Sequence, residues 1–253
     1  MNFDFPLFIK RRSLLLSNVA IACILLSQYA AVGDTASSCD RIRVGSDALS
    51  LEEAERYCHY AAGERQKVDA FWGATWTETI HIDVDDRYKL SRALTTKTRG
   101  FMEMPLSVVR AQRSALLHEI VHVYAPNTNR FLAEGLAVYL QHKLGGNPAF
   151  PNFGKNLRLL ARNRLSAISS LEPLNDVRTP RPLRTVMQEQ TAYILAGSFV
   201  DFLIEDYGLA MFRKLYEVGS YDLVYGKNLT DLEREWRLTF SDKIQRPRLI
   251  QPR

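Results

Sequence analysis

Leu116-Leu117-His118-Glu119-Ile120-Val121-His122, followed after a short turn by Phe131-Leu132-Ala133-Glu134-Gly135-Leu136-Ala137-Val138-Tyr139-Leu140, decides how this sequence reads. Apolar residues recur around the polar ones at helical spacing, which predicts helices over 106–124 and 130–144. Pro126 ends the first by pushing Ala125 out of the α region, and Gly145-Gly146 ends the second. Between them, Pro126-Asn127-Thr128-Asn129 offers two Asn and a Thr as caps.

His118 and His122 are four residues apart, so on a helix they lie about 40° apart around the axis and one turn above each other. Both imidazoles can reach one metal ion. Glu119 stands about 60° from His122, which puts its carboxylate beside the metal, able to hold a water without being a ligand. Zinc suits these parts, since it takes imidazole and carboxylate ligands and keeps an open position in catalytic sites. The same pattern also describes two structural histidines on an amphipathic helix, and a third ligand distinguishes the readings. The histidine pair is centred four residues before 124, and Glu134 is four residues into the second helix, so each lies about 6 Å from the turn. If the turn folds the helices antiparallel, Glu134 comes level with the histidines. A carboxylate between Ala133 and Leu136-Ala137-Val138 is costly to bury unless a cation pairs with it, and Gly135 permits close helix contact.

These residues resemble the gluzincin-type, peptidase MA-like zinc metallopeptidases. The resemblance runs through 116–122 and 131–140, more loosely through Ala-Tyr-Ile-Leu-Ala-Gly-Ser-Phe-Val-Asp-Phe-Leu (192–203) and Leu-Glu-Arg-Glu-Trp (232–236). It implies an α+β, zincin-like fold: a small mixed sheet with an HExxH active-site helix, followed by a mainly helical C-terminal part. It also implies Zn2+ held by His118, His122 and Glu134, with Glu119 as catalytic base. Tyr193 falls in the segment similar to the family's C-terminal helix and is the candidate donor to the oxyanion, with Tyr207 and Tyr124 as alternatives. Two features depart from the family. Only eleven residues separate His122 from Glu134, and Val138 stands where some relatives keep an acid that orients a ligand histidine. Position 128 carries no His, so a metzincin site is excluded.

Outward from this stretch, Ser50 and Glu53 form a capping box for a helix over 51–71, and Ile80, Ile82 and Val84 alternate with His81, Asp83 and Asp85 as a half-buried strand. A second strand is expected over 98–104, with Gly100–Met104 as a sheet edge along which a peptide could lie. Five prolines punctuate 147–184, leaving room for a helix near 156–168. Helices follow over 186–206, 208–218 and 231–240, the last opened by a Thr230/Glu233 capping box.

The N-terminus reads as a signal peptide over 1–33: Lys10-Arg11-Arg12 precedes an uncharged, mostly apolar run over 13–33, and Ala31-Val32-Gly33 suits cleavage before Asp34. The same run is long enough to remain as a membrane anchor. Residues 34–244 then form a single domain, and 245–253 a loose basic tail. Cys39 and Cys58 are the cysteines left after cleavage and form a disulfide in an oxidising compartment. The chain has 253 residues, 46% of them hydrophobic, so it can build a core. Its net charge of +5 is too small and too scattered to suggest nucleic-acid binding, and the densest basic cluster, Arg178, Arg181 and Arg184, reads as a solvated loop.

The sequence therefore points to an extracytoplasmic zinc metallopeptidase acting on peptide or protein substrates. Zinc would polarise the scissile carbonyl and acidify a water, and Glu119 would move its proton to the leaving amine. The alternatives are a catalytically degenerate relative serving as a binding or assembly factor, and an interaction protein with structural histidines.

Overall fold

The computed structural model describes residues 35–94, 98–179 and 181–241. The signal or anchor segment over 1–33 and the tail over 245–253 lie outside these residues. Among the described residues, no helix is long and apolar enough to cross a membrane.

The chain opens with a hairpin, β1 (Thr35–Cys39) and β2 (Ile42–Ser46), turned by Asp40 and Arg41 in left-handed conformations. Helix α1 (Leu51–Trp72) follows, and Ser50 and Glu53 make the expected reciprocal capping box. A disulfide joins Cys39 at the end of β1 to Cys58 on α1. Next come β3 (Ile80–Asp85), β4 (Arg92–Leu94) and β5 (Phe101–Pro105). The five strands form one mixed sheet in the order β1-β2-β3-β5-β4, parallel at β2/β3 and β3/β5 and antiparallel at both ends. On β3, Ile80, Ile82 and Val84 are buried, while His81 lies half-buried on the other face and stacks on its cross-strand partner Phe101. Gly100–Met104 is therefore interior to the sheet, because β4 pairs along its outer side; the edge strands are β1 and β4.

The helix expected over 106–124 is two helices, α2 (Leu106–Arg110) and α3 (Leu116–Tyr124). The break has no local signal, since Ala111-Gln112-Arg113-Ser114 contains neither Gly nor Pro, yet Gln112 adopts a left-handed φ of 53°. All nine residues of α3 are buried, and groups remote in sequence close both its ends. Gln141 accepts from the His118 N–H (3.2 Å) at the start, where the helix has no side-chain cap of its own, and Arg99 donates to the Val123 carbonyl (2.8 and 2.6 Å) at its end. Tertiary contact, not propensity, sets these limits.

Helix α4 (Arg130–Leu144) has the expected bounds, with the Asn129 side chain accepting from Phe131 and Leu132 N–H. Beyond it come α5 (Leu157–Arg162), shorter than expected and followed by a 3-10 turn, then α6 (Glu172–Asn175) and α7 (Pro182–Thr185). The C-terminal part is α8 (Glu189–Tyr207), α9 (Leu209–Val218), α10 (Tyr221–Tyr225) and α11 (Leu229–Leu238). Helix α11 is capped by Asn228, not Thr230. Glu233 cannot close a capping box because it is buried, accepting from the Leu171 N–H (2.8 Å) and from Arg237 (2.7 Å).

One hydrophobic cluster extends from Ile42 on the sheet to Trp236 on α11. Its centre is the α4/α8 contact. Gly135 of α4 meets Val200 and Ala196 of α8, and Gly197 of α8 meets Val138 of α4, so each helix offers the other a residue without a Cβ. Gly135 thus enables close approach to α8 rather than to the histidine helix.

Candidate metal centre and its cleft

His118 and His122 project from α3, and Glu134 from the second turn of α4. As the α3 residue steps back from 122 to 118, its α4 partners step forward from 134 to 141, so the two helices run antiparallel, as the level argument requires. His118 Nε2 lies 3.0 Å and His122 Nε2 3.3 Å from Glu134 Oε2, and the two imidazole nitrogens are 3.2 Å apart. Tetrahedral zinc, with bonds of about 2.0–2.1 Å, sets its ligand atoms about 3.3–3.4 Å apart. The triangle matches that spacing to within a few tenths of an ångström. Two imidazole nitrogens and a carboxylate oxygen converging on one point form a donor set in search of a cation, and among the described residues these three are the His, Cys, Asp and Glu group able to hold a metal.

All three ligand candidates are buried, Glu134 to 1% exposure. Burial alone would raise the Glu134 carboxyl, but His122 and His118 outweigh it and hold the group well below the usual carboxylate range. Arg130, four residues earlier on α4, pairs with Oε1 of Glu134 and leaves Oε2 to the histidines. Glu119 is also buried but stays outside the triangle, its Oε2 accepting from the Ala93 N–H of β4 at 2.7 Å. Burial pushes the Glu119 carboxyl up, against the opposing pull of His118, and Glu134 adds to the rise.

Tyr193 on α8 lies with its ring parallel to that of His118, centroids 6.2 Å apart. Burial, then Glu134, raises its hydroxyl above the ordinary tyrosine range, so it keeps its proton at neutral pH and can donate a hydrogen bond. His118, Glu119, His122, Glu134 and Tyr193 line one cleft of about 780 Å³. The alternatives face elsewhere: the Tyr124 hydroxyl accepts from Arg65 (2.8 Å), and Tyr207 binds Glu235 and Lys227. Phe150 and Phe153, 37% and 49% exposed, form an aromatic wall beside Tyr193. Val138 packs on Gly197, and His118 Nδ1 is buried without a hydrogen-bond partner among the described residues.

Sequence reasoning missed Ala93, Arg130 and Gln141. The i, i+4 spacing of Arg130 and Glu134 is a local signal that could have found the pair. The Ala93 N–H and the Gln141 side chain act across chain separations of 26 and 23 residues, for which the sequence holds no local sign.

No protein-family model and no curated protein matches this sequence. Among solved structures, a two-domain M1 zinc metallopeptidase, an E323A mutant bound to L-arginine, superposes with a TM-score of 0.51 at 17% identity, over 82% of this chain and 49% of its own. The fold is like that of an M1 zinc metallopeptidase. An M1 zinc metallopeptidase E323A mutant from Deinococcus radiodurans bound to a Tyr-Ser-Ala substrate aligns at a TM-score of 0.48 and 16% identity, over 82% of this chain and 49% of that one. This chain thus spans about half the length of the solved structures it matches.

Proposed function

We propose that the protein is an exported zinc-dependent metallopeptidase, with residues 34–244 as one catalytic domain behind a signal peptide or anchor. The observation that carries this reading is the convergence of His118 Nε2, His122 Nε2 and Glu134 Oε2 on one point, beside a buried carboxylate that is not part of the triangle. His118, His122 and Glu134 would hold the zinc, which when bound supplies Lewis acidity toward the scissile carbonyl and acidifies water. Glu119 is the general base. The Ala93 N–H holds its Oε2, which leaves Oε1 to take a proton from the attacking water and return it to the leaving amine. Tyr193 donates a hydrogen bond to the oxygen that becomes negative as the carbonyl turns tetrahedral. Arg130 positions Glu134 through Oε1. Ser91, Arg92 and Ala93 line the cleft, so an extended peptide would lie along β4, the sheet edge that faces it.

The test is zinc stoichiometry with hydrolysis of an unbiased peptide library. Glu119→Gln should keep close to one zinc per chain and lose activity by about 10² to 10⁴. His118→Ala, His122→Ala and Glu134→Ala should lose zinc and activity together. Equal zinc loss in Glu119→Gln and the ligand variants would show the roles to be misassigned. Full zinc without hydrolysis of any peptide would replace the enzyme with a binding factor.

A further inference from the structure

The cleft is lined by six cationic side chains. Three of them are neutralised: Arg92 by Glu103, Arg130 by Glu134, and Arg184 by Glu189 at 2.6 Å. The other three are Lys89, in the loop before β4; Arg113, in the unpredicted turn between α2 and α3; and Arg181, in the proline-rich segment before α7. All three are exposed, and among the described residues none takes part in an ion pair. They come from three separate segments on both the sheet and the helical sides, yet face one cavity. The acids lining it are Glu119, Glu134 and Glu189, and of these only Glu119 is without a cationic partner. A divalent cation on the ligand triangle would make the cleft more positive still. Cationic groups around a concave, partly apolar wall focus a positive potential into the space a substrate enters.

We infer that the cleft selects acidic peptides, those with Asp or Glu side chains on the residues flanking the bond at the metal centre. This rests on the peptidase reading and adds the substrate class to it. Lys89 meets acids beside β4, Arg113 meets them at the turn before α3, and Arg181 meets them before α7. A cationic peptide meets no unpaired carboxylate other than Glu119. These contacts are exposed, so each favours an acid over a neutral residue by only about two- to threefold, and three together by about tenfold at low salt. Ionic strength should erase the preference, as the screening length falls from about 10 Å at 0.1 M to about 3 Å at 1 M.

The experiment measures binding by fluorescence anisotropy, using zinc-loaded Glu119→Gln protein and three labelled peptides. The peptides share a central apolar dipeptide and differ only in flanking Glu, Gln or Lys. The Glu peptide should bind about tenfold tighter than the Gln peptide at about 0.05 M salt, and the two should converge by about 0.5 M. The triple reversal Lys89→Glu, Arg113→Glu, Arg181→Glu should place the Lys peptide first while keeping zinc content and melting temperature. Should that variant not fold, each single reversal should reduce the Glu advantage about two- to threefold. Equal binding of Glu and Gln peptides, or an order unchanged by the reversals, would overturn the inference. So would an oligonucleotide of equal charge binding as tightly with the same dependence on these residues. Hydrolysis by wild type without any charge order removes the selectivity and leaves the peptidase; ordered binding without hydrolysis removes the peptidase and leaves the selective cleft.

Discussion

Gly135→Ala tests how the α4/α8 contact holds Glu134, a candidate metal ligand. Gly135 follows Glu134 directly, and a Cβ there would sit 2.6 Å from Val200 Cγ2 and 2.8 Å from the Ala196 carbonyl oxygen. Unstrained contacts between such atoms need about 3.5 Å. Val200 is fully buried and the oxygen belongs to the α8 backbone, so the helices must part by several tenths of an ångström. Overpacking of this kind costs about 1–3 kcal/mol. Against it, Ala improves on Gly in a helix interior by about 1 kcal/mol. The net expectation is a loss of about 1 kcal/mol, which for a chain of this size lowers Tm by about 2–4 °C. Glu134 moves with α4 while the histidines stay on α3, so zinc affinity should fall about 10- to 100-fold, as when a group that orients a ligand is lost. Differential scanning fluorimetry with zinc and with chelator, followed by competition against a chromophoric chelator, measures both effects. The sign of the Tm change is decisive. A rise of about 2–4 °C with unchanged zinc affinity would mean that helix propensity dominates and that the contact does not position Glu134.

Two further outcomes follow from the same geometry. Replacing Cys39 and Cys58 by Ala opens a loop closed across a sequence separation of 19 and should remove about 3 kcal/mol of stability, or about 6–12 °C in Tm, while leaving zinc stoichiometry intact; two alkylatable thiols in unreduced protein would show that no bond forms. Gln141→Ala removes the acceptor for the His118 N–H at the start of α3 and the donor to the Asn147 carbonyl, so it should cost about 1–2 kcal/mol and weaken zinc binding; unchanged Tm and zinc affinity would refute the capping role.

What the sequence determined by itself is everything carried by groups within about a helical turn of each other. The bounds of α4, the Ser50/Glu53 box, the alternation along β3 and the approach of His118 to His122 all depend on spacings of two to four residues. Glu134 was legible one step further, because a short turn between two helices of known rise leaves little freedom in their relative level. Tertiary structure decided the rest. The break over 111–115 has no Gly or Pro to announce it and exists because α3 must be buried along its whole length between Gln141 and Arg99. Glu233 abandons its capping role for a buried link to the Leu171 N–H, 62 residues away. β4 covers the strand that read as an edge and turns the Ala93 N–H onto Glu119. The three cleft cations outside ion pairs among the described residues come from positions 89, 113 and 181, whose chain separation hides a common charge that appears only once three loops share one cavity. Local periodicity reports which face of an element is apolar, but which distant groups meet across that face depends on the packing of the whole chain.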